Sequence, residues 1–264
     1  MNKFYIQIIL FILNIFVYAN NEAIATEPDS RGDIKPKLRS RYPTPEEIYK
    51  KNKHLSCYGH DHTPVIKLMG EVVKHLEYHA TSKDGYKVYP LNHRDATSCY
   101  KKRHNGQTDI LKINLNTYAS SQYDEIINKL WDPDTPNTFN TGIVKIVHVY
   151  NPNLVVICQH YKKKFGEPQK YFYALATKAE ISKDKTIITM TSINVSDGNH
   201  FSEGHKNPII EVPNSLYAYI NPEDYITSDK YKKVFVNLAG YLIEKKGDDL
   251  EVTYIESIEG HSSI

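Results

Sequence analysis

Hydrophobic positions along the chain follow two rhythms, and the change falls near Gly85. Before it the spacing is helical. Thr44-Pro45-Glu46-Glu47 supplies a cap, a proline at the first helical position and early acids, and Thr63-Pro64 repeats the first two features before a longer segment to about His79. Val65, Leu68, Met69, Val72, Val73 and Leu76 fall on one stripe of that second helix, which predicts one buried face. After Gly85 the period approaches two. Tyr86–Tyr89, Thr97–Arg103 and Asp109–Leu115 read as short strands, and Ser121–Leu130 reads as a helix with Ile126, Ile127 and Leu130 on its apolar side.

The clearest alternation comes next. Ile143–Tyr150 and Leu154–Tyr161 flank the turn Asn151-Pro152-Asn153; Tyr171–Ile181 and Thr186–Ile193 flank Ser182-Lys183-Asp184-Lys185. Near the end, Val234, Val236 and Leu238 alternate with Phe235, Asn237 and Ala239. Gly240-Tyr241-Leu242-Ile243-Glu244 then leads through Gly247-Asp248-Asp249 to Val252-Thr253-Tyr254-Ile255. Turns this short require antiparallel pairing. Asn194–Tyr231, with Gly198, Gly204, Pro208, Pro213 and Pro222, reads as loop-rich, and no internal repeat is present. Helices, short strands, a helix and then antiparallel strands describe an α+β domain with a curved sheet. Ile143, Val144, Ile146, Val147 and Val149 put apolar side chains on both faces of one strand. Two arrangements explain that: a helix over one face with a cavity or further strands on the other, or a sandwich core.

Composition narrows the function classes. The 264 residues carry 33 Lys and Arg against 31 Asp and Glu, a net charge of +2, which argues against a dedicated nucleic-acid binder. Lys101-Lys102-Arg103 and Lys162-Lys163-Lys164 each flank a turn. Solvated hairpin ends explain them best, and attraction to an anionic membrane is the functional reading. Met1–Ala25 reads as a secretory signal, with Lys3, an apolar run Phe4–Tyr18 and small residues at Ala23-Ile24-Ala25; Ala19 offers a second cleavage position. That run, broken by Gln7 and Asn14, is shorter than the ~20 apolar residues that span a bilayer. Thr26–Arg41 is polar and holds Pro28, Gly32 and Pro36, so 26–41 reads as a flexible linker and 42–264 as one domain. Cys57, Cys99 and Cys158 are an odd set for a secreted chain. Cys158 lies in an apolar run and reads as a buried thiol, and a Cys57–Cys99 bond is the remaining pairing.

Candidate chemistry is sparse. His75-Leu76-Glu77-Tyr78-His79 places two histidines one helical turn apart, but Glu77 is rotated off the ligand face, and His60-Asp61-His62 sits in a short polar segment. No metal is expected at either. No Gly-x-Ser-x-Gly elbow and no phosphate-cradling glycine loop occurs, so no catalytic residue is assigned and a secreted hydrolase is disfavoured. Asn194-Val195-Ser196 is the sole N-glycosylation sequon.

The final hairpin, Gly240–Glu244 with Val252–Ile255 and the Gly260 loop after it, resembles the last hairpin of START domains, the lipid-binding helix-grip modules. Trp131–Gly260 follows the same pattern through the helix end, the long hairpins and the Tyr171-Phe172-Tyr173 strand. The whole chain is more similar still to the fam-a proteins, a multigene family of rodent malaria parasites. The matching pieces are Met1-Asn2-Lys3-Phe4-Tyr5-Ile6, Glu47-Ile48-Tyr49, Leu76-Glu77-Tyr78-His79-Ala80-Thr81, Leu130-Trp131-Asp132-Pro133-Asp134 and Val149-Tyr150-Asn151-Pro152-Asn153-Leu154.

The resemblance implies a START-like α+β fold over 42–264: a curved antiparallel sheet with N-terminal helices, the family's closing C-terminal helix being absent from the sequence. It implies a secreted, non-enzymatic lipid-binding or lipid-transfer protein holding a phospholipid, phosphatidylcholine first, with transient membrane contact and export to the parasitophorous vacuole or host erythrocyte. The phospholipid is a ligand, and no cofactor is expected. By position, Tyr171 matches an aromatic that helps box choline, while Phe139 and Asn140 replace a Trp-Asp pair near the phosphate, with Pro136 at the place of an Arg. The other two cage positions fall near Cys158 and Asn237, which cannot serve. Tyr161, Tyr173, Tyr241 and Tyr254 are further aromatic candidates, because ring faces attract a quaternary ammonium; each is equally a strand residue that packs a sheet. Without its closing helix the domain is expected to expose an apolar cavity floor, in a chain that is truncated, mis-bounded or completed by another. A second reading, of a different class, keeps the scaffold without lipid binding and presents Asn194–Tyr231 to a host-cell partner.

Overall fold

The computed structural model describes residues 40–56, 61–89, 97–135, 142–163, 165–196, 205–220, 226 and 230–259. Helix α1 (Pro45–Asn52) starts at the expected cap: Thr44 accepts from the Glu47 backbone while the Glu47 carboxylate accepts from the Thr44 backbone at 2.9 Å. Helix α2 (Thr63–Thr81) has 19 residues and buries Val65, Leu68, Met69, Val72 and Leu76 of the expected stripe. Helix α3 (Tyr123–Trp131) is preceded by a tighter turn, Ser120–Gln122, so the α-helix starts slightly later than its pattern suggests.

The strands are β1 (Lys87–Val88), β2 (Thr97–His104), β3 (Thr108–Thr117), β4 (Gly142–Asn151), β5 (Leu154–Tyr161), β6 (Gln169–Ser182) and β7 (Lys185–Thr191). They continue with β8 (Asn194–Ser196), β9 (Tyr217–Tyr219), β10 (Tyr231–Lys233), β11 (Val236–Lys246) and β12 (Asp249–Ile258). Ten of them form one curved sheet in the order β1-β2-β3-β12-β11-β7-β6-β5-β4, antiparallel at every step, with β10 added parallel to β6. Register shifts in β4 near Val147 and in β11 near Asn237 bend the two strands. In the loop-rich stretch after Ile193, β8 and β9 pair in parallel. Strands of three residues carry too little period to be read from sequence.

Each face of the sheet has its own core, which resolves the two-faced strands in favour of helices on both sides. On one face, called here the packed face, α2 and the segment containing Ile209, Ile210, Ala218 and Ile220 lie over Leu175, Ile187, Leu238 and Leu242. On the other, the open face, the short helices α1 and α3 lie over Phe172, Ala174, Ile188, Ala239, Tyr241 and Tyr254. Gly240 sits between them. It adopts φ +151°, and a Cβ there would meet the Ile188 carbonyl oxygen at 2.1 Å and Leu76 at 2.9 Å.

Two expectations need correction. Cys99 is a buried free thiol, so it forms no bond with Cys57, which lies outside the described residues; burial pushes its pKa up to about 12. The open-face floor is not an exposed apolar patch: Phe172, Ala174 and Ala239 are fully buried and Tyr254 is 1% exposed. The physical reason is that α3 lies directly over it, with Ile126, Ile127, Leu130 and Trp131 turned down onto the strands.

Candidate functional site

Small residues shape the open face. Ala174 and Ala176 on β6 and Ala239 on β11 give a low floor on this face, which the Gly240 backbone borders. Between this floor and the end of α3 lies an inner cavity of about 80 Å³, walled by Trp131, Val155, Ile157, Ile188, Met190 and Tyr241 among others. It adjoins a wider cleft of about 770 Å³, and Asp132, Pro133, Val144 and Ile146 belong to the walls of both. The cleft is polar on its far side, where Arg41, Lys51, Asn52 and His54 face Asp134 and Lys145. Lys51 spans it, its Nζ 2.8 Å from the Asp134 carboxylate; hydrogen bonding to that carboxylate raises its pKa.

Helix α3 is tied to the sheet at its start and closed by a local turn at its end. At the start, the Tyr123 hydroxyl donates to Thr186 Oγ1 of β7 at 2.9 Å. At the end, the Asp132 carboxylate accepts from the Asp134 backbone at 3.1 Å and from the Thr135 hydroxyl at 2.6 Å, which tightens the exit turn. Trp131, the last residue of α3, is buried, and its indole Nε1–H meets no acceptor. A buried donor left in that state costs roughly 1–3 kcal/mol.

A second polar feature shares the open face. Tyr241 and Tyr254 stand directly opposite each other across β11 and β12, their rings 5.2 Å apart at 46°. The Tyr254 hydroxyl donates to Glu256 Oε2 at 2.5 Å. Burial raises the Glu256 pKa to about 7, against a smaller downward pull from that hydrogen bond. Burial also pushes the phenols of Tyr161, Tyr241 and Tyr254 well above the ordinary range, and the neighbouring Glu256 adds to it. The site is therefore an apolar pocket beside a buried acid that changes charge near neutrality.

The sequence candidates divide between the two faces. Tyr241, Tyr254 and Tyr161 share the open face with Glu256. Tyr171 and Tyr173 lie on the packed face, their rings 5.8 Å apart, with Tyr171 also beside His160 and Tyr231 and the Lys233 ammonium 5.6 Å from the Tyr173 ring. The sheet separates them from the cavity. Phe139 and Asn140 lie outside the described residues, as does Pro136. Sequence reasoning missed Glu256 and Trp131. The signal for Glu256 was present: Val252, Tyr254 and Glu256 alternate, so an acid takes the next inward position of a buried strand. For Trp131 the signal was its place on the apolar side of α3, one residue after Leu130.

His79 is buried with its Nδ1 3.1 Å from the Tyr86 hydroxyl, and burial lowers its pKa to about 4, with His104 and Lys102 adding to the shift. Among the described residues no group of three or more His, Cys, Asp or Glu is placed to hold a metal.

No protein-family model matches this sequence, and no curated protein matches it either. Solved structures do. Human StAR-related lipid transfer protein 5 superposes with a TM-score of 0.54 at 8% identity, over 77% of this chain and 86% of that one. Human STARD10 superposes with a TM-score of 0.47 at 12% identity, over 73% of this chain and 68% of that one. At 8% identity the likeness to the first is one of fold.

Proposed function

We propose that this chain is a non-enzymatic lipid-binding protein that holds a phospholipid, phosphatidylcholine first, with its apolar part against the open face under α3 and its polar end toward the cleft. The observation that carries this reading is the apolar cavity lined by Ala176, Ala239 and the Gly240 backbone and sharing its walls with a polar cleft. Removing acyl chains from water is worth about 0.8 kcal/mol per CH₂, so a carrier needs such an interior. Support comes also from the fold shared with human StAR-related lipid transfer protein 5. Tyr241 and Tyr254 wall the inner cavity, and the Tyr254 hydroxyl is bonded to Glu256.

The same reading includes transient contact with anionic membranes. Its support is the β5–β6 tip, where Phe165 is fully exposed beside the exposed Lys162 and Lys163. Secretion through Met1–Ala25, export to a host cell and membership of the fam-a family rest on the sequence resemblance.

One observation favours the second reading, a host-interaction protein that has kept the scaffold without its ligand: the inner cavity of about 80 Å³ is smaller than the roughly 300–1,000 Å³ of ordinary ligand pockets. Native mass spectrometry of the full chain from a eukaryotic host separates the two. A bound phospholipid mass that survives washing is expected, with phosphatidylcholine dominant in the extracted lipid. A lipid-free protein that stays unliganded after incubation with phosphatidylcholine, phosphatidylserine and phosphatidylethanolamine vesicles would establish the second reading instead.

A further inference from the structure

The wall of the inner cavity contains a donor that the fold itself does not use. Trp131 lines the cavity, and its indole Nε1–H is closed to solvent and faces no acceptor. Groups of this kind are few in folded proteins and point to a missing partner. The indole has little freedom to find one within the protein, because the Trp131 side chain is buried and Tyr123 ties α3 to β7.

We propose that Trp131 is a specificity-determining donor: its Nε1–H bonds an oxygen of the cavity ligand that accepts without donating, the carbonyl of an acyl ester. The inference rests on the lipid-binding reading and adds the linkage chemistry to it. An N–H with no acceptor beside it selects for a carbonyl, because a hydroxyl or ammonium there would bring a second proton into apolar surroundings. Ester-linked lipid is therefore preferred over its ether-linked analogue of equal length, whose ether oxygen lacks the carbonyl. A net hydrogen bond of ordinary strength corresponds to a preference of about two- to tenfold.

Trp131 is the one tryptophan of the chain, so ¹⁵N-labelled protein gives a single indole N–H resonance. The full chain is titrated with short-chain diacyl phosphatidylcholine and, separately, with the dialkyl ether analogue, both as monomers. The expected result is a downfield move of the indole proton with the diacyl lipid only, tighter binding of that lipid by about two- to tenfold, and loss of the difference in Trp131→Phe. Binding of both lipids with equal affinity and an unmoved indole resonance would overturn the inference while leaving lipid binding intact. If neither lipid perturbs any resonance, lipid binding itself has failed and the inference falls with it. Should Trp131→Phe not fold, the two titrations of the unmodified chain still decide.

Discussion

The two faces of the sheet are made from the same strands and serve opposite ends. On the packed face a 19-residue helix meets branched side chains, with Val72, Leu76, Leu175, Ile187 and Leu238 all fully excluded from solvent. On the open face shorter helices, α1 and α3, meet Ala174, Ala176 and Ala239, and space remains. Close packing on one side supplies the stability that lets the other side stay under-filled. Polar groups follow the same division. On the packed face His79 is held neutral, and on the open face Glu256 titrates near neutrality.

Large-to-small substitutions test this contrast most severely. Leu76→Ala, at the centre of α2 and against Gly240, is expected to cost about 3–5 kcal/mol in chemical denaturation. Ile188→Ala, which borders an existing cavity, is expected near the low end, about 2 kcal/mol. Equal losses at the two sites would mean the open face is packed as tightly as the other.

The next largest effect is a pair of opposed pH dependences. Glu256 has a folded pKa of about 7 against 4.5 unfolded, so the native state holds the proton longer and stability falls as pH rises from about 4.5 to 7. The full effect is about 3 kcal/mol. His79, lowered from 6.5 to about 4, acts the other way: the unfolded state takes up the proton first, and stability falls as pH drops below 6.5. The two contributions offset each other between pH 4.5 and 6.5. Glu256→Gln is expected to reveal a loss of stability on acidification, and His79→Asn a gain, in melting temperatures across that window. Parallel profiles for the two variants would sink the assignment.

At the tip between β5 and β6, Phe165→Ser is expected to weaken sedimentation with phosphatidylserine vesicles severalfold while leaving the melting temperature unchanged. Unchanged sedimentation would remove this tip from membrane contact. The smallest effect belongs to the cleft rim, where Lys51 and Asp134 are both exposed; Lys51→Ala is expected to cost under about 1 kcal/mol. A larger loss would show that the cleft wall is part of the cooperative core.

Much of the fold was legible because four hairpins close through turns of two or three residues and α1 and α2 each begin at a Thr-Pro pair. The Thr44 cap, the stripe of α2 and the long hairpins all stand where the pattern places them. The stretch after Ile193 was not legible, since Ile209, Ile210 and Ala218 are held by contacts with a distant helix and sheet rather than by any local period. The candidate site was legible only in part. Alternation identifies which residues of one strand share a face, so Tyr241 could be grouped with Ile243 and Tyr254 with Val252.

Alternation by itself does not say which face of one strand continues which face of the next. That depends on register between strands far apart in sequence, and a shift of one residue exchanges the faces. Tyr171 and Tyr241 therefore look equivalent in the sequence, and only the assembled sheet puts one beneath α2 and the other beneath α3. The sequence by itself determined the helices, the four hairpins with their antiparallel pairing and the presence of two apolar faces, because these follow from local turns and periods. The tertiary structure decided which face is filled and which keeps a cavity. It also decided that Trp131 and Glu256 belong to the second, because register and helix placement are properties of the whole packed chain.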